Sequence, residues 1–170
     1  MSEARPNRSD RRPLYTPEQR LRRDRSVWTL IQGLLAPLQF IVFIVSLGLI
    51  LRWLVTGEGL AAANASIVVK TLVLYTIMIT GSIWEKVVFD RWLFAPAFFW
   101  EDVFSMLVLA LHTAYLVALY RGALDPAGLM ILALAAYATY VINAAQFLVK
   151  LRAARLDAAR GQSPLPEPGR

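Results

Sequence analysis

The sequence predicts an all-α integral membrane four-helix bundle, both termini cytoplasmic, with a short basic interfacial helix before the first span. Three observations carry that expectation. Of the 170 residues 57% are hydrophobic and the mean hydropathy is +0.49, too apolar for a soluble domain of this size. Four apolar stretches match a hydrocarbon core of about 30 Å, which takes about 20 helical residues to cross. Basic residues crowd the two ends of the chain rather than its apolar runs.

The elements follow in order. Residues 1–28 form a basic arm with eight arginines against four carboxylates. Within it Thr16-Pro17-Glu18-Gln19 combines an N-cap, a first-turn proline and a capping-box glutamine, which predicts a short helix on the cytoplasmic surface. No cleavable signal peptide is expected, since the first apolar run begins near Trp28 and is too long for a signal h-region. Residues 29–149 hold the four spans, each helical because backbone groups in lipid have no water to bond. Span one covers Thr29 to Leu54 and is broken by Gly57-Glu58-Gly59. Span two covers Ala62 to Trp84. Span three, Phe98 to Tyr120, follows Ala95-Pro96, and span four, Ala127 to Val149, follows the Asp125-Pro126 cap. Residues 150–170 form a basic tail, predicted to be disordered from Gly161 onward by Pro164, Pro166 and Pro168. In span three, Ala110, Ala114 and Ala118 recur at four-residue spacing and predict the close approach of a neighbouring helix.

Orientation follows from the cations. With both ends cytoplasmic, 15 of the 18 lysines and arginines lie on that side, Arg52 and Arg121 lie opposite, and Lys70 is inside the bilayer. Such flanks suit an anionic cytoplasmic leaflet as a partner better than nucleic acid. The absence of cysteine excludes disulfides, thiolate nucleophiles and cysteine-held zinc or iron–sulfur centres. A single histidine excludes bis-histidine haem within one chain.

The candidate site is the set of ionisable groups within these apolar runs, where they are expensive to hold. Antiparallel spans two and three put Glu85 at the depth of Glu101 and Asp102, with Gln32, Gln39, Asn143 and Gln146 completing a polar layer near the cytoplasmic face. Trp84, Trp92, Phe98, Phe99 and Trp100 rim it; an interfacial belt is the simpler account of these aromatics. No basic residue lies close in sequence to neutralise Glu101 and Asp102. The positive end of span three favours charge on these two, whereas the negative end of span two disfavours it on Glu85. Carboxyls in such opposed surroundings suit acid–base chemistry. Lys86 could cancel this by folding back on Glu85.

A deeper pair, Lys70 and His112, falls at matching depth in spans two and three. Glu101, Ser105 and His112 share a helical face, but Glu101 and His112 stand about 16 Å apart along the axis. One small reactive group cannot touch both. The plain readings are a neutral His112 imidazole bonded to another helix and a Lys70 that snorkels or finds a partner. Asn64-Ala65-Ser66 matches a glycosylation sequon of no weight.

Tyr15-Thr16-Pro17-Glu18-Gln19-Arg20, Trp84-Glu85-Lys86-Val87-Val88-Phe89, the run from Leu93 to Met106 and Leu111-His112-Thr113-Ala114-Tyr115 resemble the 2-vinyl bacteriochlorophyllide hydratase family. The resemblance extends from Tyr15 to Arg152 and is densest in the hairpin of spans two and three. It implies a multi-pass enzyme in the inner or intracytoplasmic photosynthetic membrane of a phototrophic bacterium. That enzyme would add water to the C-3 vinyl group of chlorophyllide a or a bacteriochlorophyllide, giving a 1-hydroxyethyl group. Glu85, Glu101 and Asp102 would then be catalytic, with Glu85 the acid, Glu101 the base and Asp102 an electrostatic stabiliser or second base. His112, Lys70, Trp84, Phe98, Trp100, Gln39 and Asn143 would line the substrate site. No cofactor is implied, the magnesium belonging to the tetrapyrrole substrate. Homo-oligomers and neighbouring biosynthetic enzymes are compatible partners.

Two other functions fit the same residues. A non-catalytic tetrapyrrole-binding or photosystem-assembly protein would use the aromatic hairpin as a grip. A small transporter would use Lys70, Glu101 and His112 as a proton path, but the two halves show no inverted repeat.

Overall fold

A computed structural model describes residues 14–161, with side chains as far as Leu156. Among these residues there are five helices: α1 Pro17–Arg25, α2 Val27–Thr56, α3 Leu60–Phe89, α4 Phe99–Arg121 and α5 Pro126–Gly161. The last four are long and apolar enough to cross a membrane.

Local sequence sets the ends of these helices. The Thr16 hydroxyl accepts the Gln19 N–H at 3.2 Å and the Gln19 side chain accepts the Thr16 N–H at 3.0 Å, so the expected capping box opens α1. Gly57 (φ 73) ends α2 and Gly59 (φ 86) precedes α3, both left-handed, which lets the chain reverse within three residues. The Asp125 side chain accepts the Gly128 N–H at 2.9 Å and caps α5. Pro96 opens a turn before α4 rather than α4 itself, whose N-cap is Phe98.

α2 packs along α3 and α4 along α5, and the two hairpins close on each other through α3 with α4 and through α2 with α5. The shared interior is mostly apolar, with Phe43, Ile50, Ile67, Leu74, Val108, Tyr115 and Met130 buried and Ser46, Lys70, Thr71 and His112 enclosed with them. A second core of Tyr15, Val88 and Phe98, backed by Trp84, Phe89 and Phe147, fastens the arm to the ends of α3 and α5. Large apolar side chains such as Leu30, Leu34, Val55, Ile79, Ile131 and Leu148 cover the outside.

α5 continues past the expected end of the apolar span at Val149 to Gly161, because Ala153, Ala154, Ala158 and Ala159 favour helix and no breaker intervenes. The alanine stripe is not an interface within the chain: Ala110 and Ala114 are exposed, and the buried face of α4 is Glu101, Ser105, Val108, His112, Tyr115 and Ala118, with Asp102 beside it. The tail prolines and four of the eight arginines of the arm, Arg5, Arg8, Arg11 and Arg12, lie outside the described residues.

Candidate active site

Glu85 stands in the last turn of α3 and Asp102 in the first turn of α4, buried to 5% and 4% exposure. Adjacent residues of the loop between α3 and α4 hold the two carboxyls, which places them side by side. The connecting loop adds two donors: Ala95 N–H to Glu85 Oε2 at 3.2 Å and Phe94 N–H to Asp102 Oδ2 at 2.8 Å. Phe94 holds a left-handed φ of 58, a strain of about 1–3 kcal/mol that its bond to Asp102 helps maintain. The Ser82 hydroxyl donates to Trp92 O at 2.7 Å and fastens the same loop.

Lys86 does not reach back to Glu85. Its ammonium pairs with Asp90 at 2.7 Å on the exposed end of α3, and that hydrogen bond holds the Asp90 carboxyl below the usual carboxylate range.

Glu101 faces a different way. Consecutive helical residues point about 100° apart, so with Asp102 aimed at α3, Glu101 is turned toward α5. There Lys150 Nζ meets Glu101 Oε2 at 2.5 Å, donates also to Ala97 O, and lies 5.0 Å from the Phe98 ring centroid. Glu101 thus has a cation, though none lies close to it in sequence, and one expectation is corrected: Glu85 lies with Asp102 at the loop rather than with Glu101. Lys150 is 49 positions from Glu101 and was not among the residues singled out. Its place about one turn beyond Gln146 and two beyond Asn143 carries a signal, since the three fall on one helical face.

Beside this ion pair an open groove of about 720 Å³ runs along α5, walled by Leu14, Glu101, Ile142, Gln146, Val149 and Lys150. That size is within the range of small-molecule sites, about 300–1,000 Å³. No group of three ligating side chains among the described residues converges to hold a metal ion.

The deeper layer is separate. Lys70 and His112 are both fully buried. Lys70 Nζ lies 3.8 Å from the Tyr140 ring centroid and 5.8 Å from that of Tyr137, a cation–π contact with no hydrogen-bond partner among the described residues. His112 Nδ1 bonds Val108 O at 2.8 Å, and its ring stacks on Tyr137 at 5.7 Å. Tyr137 and Tyr140 were not singled out either, although their spacing to Asn143 is helical.

The remaining candidates divide. Trp84 donates to Thr29 Oγ1 at 2.9 Å and packs edge-on against Phe89 and Phe98. Phe98 is buried among Tyr15, Trp84, Phe89 and Phe147. Trp100 is 66% exposed, does not line the groove, and sits T-shaped against Phe99. Asn143 donates to Ser105 Oγ at 2.8 Å, and Gln39 is buried on α2. Two sequon residues bond within the bundle: Asn64 accepts from the Tyr115 hydroxyl and Ser66 bonds Ser46.

Comparison with known proteins adds a family. The model described as 2-vinyl bacteriochlorophyllide hydratase (BCHF) matches residues 15–153. A 2-vinyl bacteriochlorophyllide hydratase of Cereibacter sphaeroides is 69% identical over 152 residues, covering 89% of this chain and 94% of that one. A protein of the same name from Rhodobacter capsulatus is 66% identical over 154 residues, covering 91% and 90%. No solved structure matches this chain.

Proposed function

This chain belongs to the 2-vinyl bacteriochlorophyllide hydratase family, and from that premise we propose that it adds water to the C-3 vinyl group of chlorophyllide a or a bacteriochlorophyllide. The product carries a 1-hydroxyethyl group. The kinship makes the chain an enzyme, a hydro-lyase of bacteriochlorophyll synthesis, so the non-catalytic and transporter alternatives fall.

Protonation of the terminal vinyl carbon leaves a cation on the ring-attached carbon, where the macrocycle delocalises it; water adds there and gives up a proton. The reaction is redox-neutral, so no redox cofactor enters it, and the magnesium is part of the substrate. The chain must supply an acid, a base and negative charge near the cation.

Three neighbouring carboxyls can do this. Two facing carboxylate oxygens have no hydrogen between them unless one group is protonated. A proton shared by Glu85 and Asp102 therefore completes their geometry, and Glu85 delivers it to the vinyl carbon. Glu101, an anion in its ion pair with Lys150, takes the proton from water. Asp102, next to Glu101 and in reach of Glu85, returns a proton to the acid and stabilises the cation. The pigment docks in the groove of α5, which Glu101 lines and Glu85 does not, so its vinyl edge enters between Glu101 and the Glu85–Asp102 pair for both carboxyls to act on it. The observation that carries this reading is the buried Glu85–Asp102 pair one position from the groove-lining Glu101.

The cation count supports cytoplasmic termini, with α1 lying on the anionic inner leaflet and the carboxyls near that face. Water and a soluble precursor arrive there. The membrane is the bacterial cytoplasmic or intracytoplasmic photosynthetic one.

The test is to insert Glu85→Gln, Glu101→Gln and Asp102→Asn variants in membranes and follow vinyl-to-hydroxyethyl conversion by chromatography. Each variant should lose about 100-fold or more. Full activity in both glutamine variants removes the acid–base scheme.

A further inference from the structure

We propose that Gln39, Asn143 and Gln146 hold the water molecule that is added, in a site behind Glu101 built from α2, α4 and α5. The inference rests on the hydratase reading with Glu101 as the base.

Buried amides without partners carry it. Gln39 is 2% exposed, and neither its Oε1 nor its Nε2 has a hydrogen-bond partner among the described residues. Asn143, 9% exposed, uses Nδ2 on Ser105 and leaves Oδ1 unpartnered; Gln146 Oε1 is also buried and unpartnered. Leaving one such group unsatisfied costs about 1–3 kcal/mol, so several close together point to a shared partner.

Helix register brings them to one level. α2 and α5 run antiparallel, with Ser46 bonded to Tyr137 at 2.6 Å and Phe43 packed on Tyr140 at 5.1 Å. One more turn in that register sets Gln39 level with Asn143. Asn143 touches Ser105, one turn from Glu101 on the same face of α4, and Gln146 shares the groove wall with Glu101 and Lys150.

The donor set selects the ligand. The unpartnered atoms are three carbonyl oxygens, of Gln39, Asn143 and Gln146, and one amide NH₂, of Gln39, a set that suits a molecule that donates twice and also accepts. Water does both, needs two to four such partners, and is what the reaction consumes. An anion would meet three acceptors, and an apolar group would satisfy none. In the reacting step Glu101 takes one hydrogen of this water while its oxygen bonds the ring-attached carbon. The second hydrogen stays as the product hydroxyl, held by Asn143 Oδ1.

The experiment offers a competing nucleophile. In water–methanol mixtures methanol can add in the same sense, its proton going to the terminal carbon and its methoxy group to the ring-attached carbon. Gln146→Ala and Gln39→Ala make room for the extra methyl and should raise the methoxyethyl-to-hydroxyethyl ratio about tenfold over the unaltered protein, the scale of one-carbon discrimination. Gln146→Asn and Gln39→Asn, smaller by one methylene, should show the same trend if either alanine variant fails to insert. Asn143→Leu should lower kcat with the pigment KM unchanged. An unchanged ratio in an active Gln146 variant, or a fall in kcat/KM through KM alone in Asn143→Leu, overturns the proposal. Glu101→Gln separates the two readings: full activity there removes Glu101 as base, while a shifted ratio in the Gln146 variants still marks the water site.

Discussion

Replacing Lys150 by methionine removes the cation from a carboxylate that is only 6% exposed. At 2.5 Å, with an effective dielectric of about 20, the attraction between the two charges is about 7 kcal/mol before desolvation. Desolvation offsets much of that, and removing one partner of a buried pair costs about 3–5 kcal/mol because the other charge is stranded. The Lys150 side chain is 27% exposed, so water takes up part of the load. We therefore expect Lys150→Met to lose about 2–4 kcal/mol of stability. The assay is unfolding in detergent micelles, with Glu101→Gln and the Lys150→Met/Glu101→Gln double variant beside it. The double variant should be more stable than Lys150→Met alone, because the neutral amide leaves no stranded charge. A Lys150→Met protein as stable as the unaltered chain, or a double variant weaker by the sum of both losses, would refute the reasoning.

Two more outcomes follow from the cores. Ser46→Ala strands the buried Tyr137 hydroxyl, whereas Tyr137→Phe leaves Ser46 its bond to Ser66; the first should cost about 1–3 kcal/mol and the second about 1 kcal/mol by the same unfolding assay, and the reverse order would discredit the network. Phe98→Ala empties the junction of Tyr15, Trp84, Phe89 and Phe147 and should cost about 3–5 kcal/mol. It should also speed limited proteolysis of the arm before α1, and unchanged cleavage would show that this core does not hold the arm.

Much of the fold was legible because its causes are local. The capping box at Thr16 and Gln19 needs only four residues, and the four long helices follow from apolar runs that have no other way to satisfy their backbones in lipid. α5 outruns its apolar span because a span stops where hydrophobicity stops, whereas a helix stops where a breaker stands. At the candidate site, the cost of burying Glu85, Glu101 and Asp102 singled them out, but their partners were hidden. Lys150 meets Glu101 across 49 positions, and Lys86, adjacent to Glu85, turns instead to Asp90. Sequence distance misled in both directions.

What the sequence determined by itself was the solvent, the helices and the identity of the costly polar groups, since these depend on hydrophobicity and on spacings within one turn. What only the tertiary structure decided was which of those groups meet. Glu101 and Asp102 are neighbours in the chain, yet the 100° step of the helix sends one to Lys150 on α5 and the other to Glu85 on α3. Helix rotation and register set that division, and both are fixed by packing across the whole bundle.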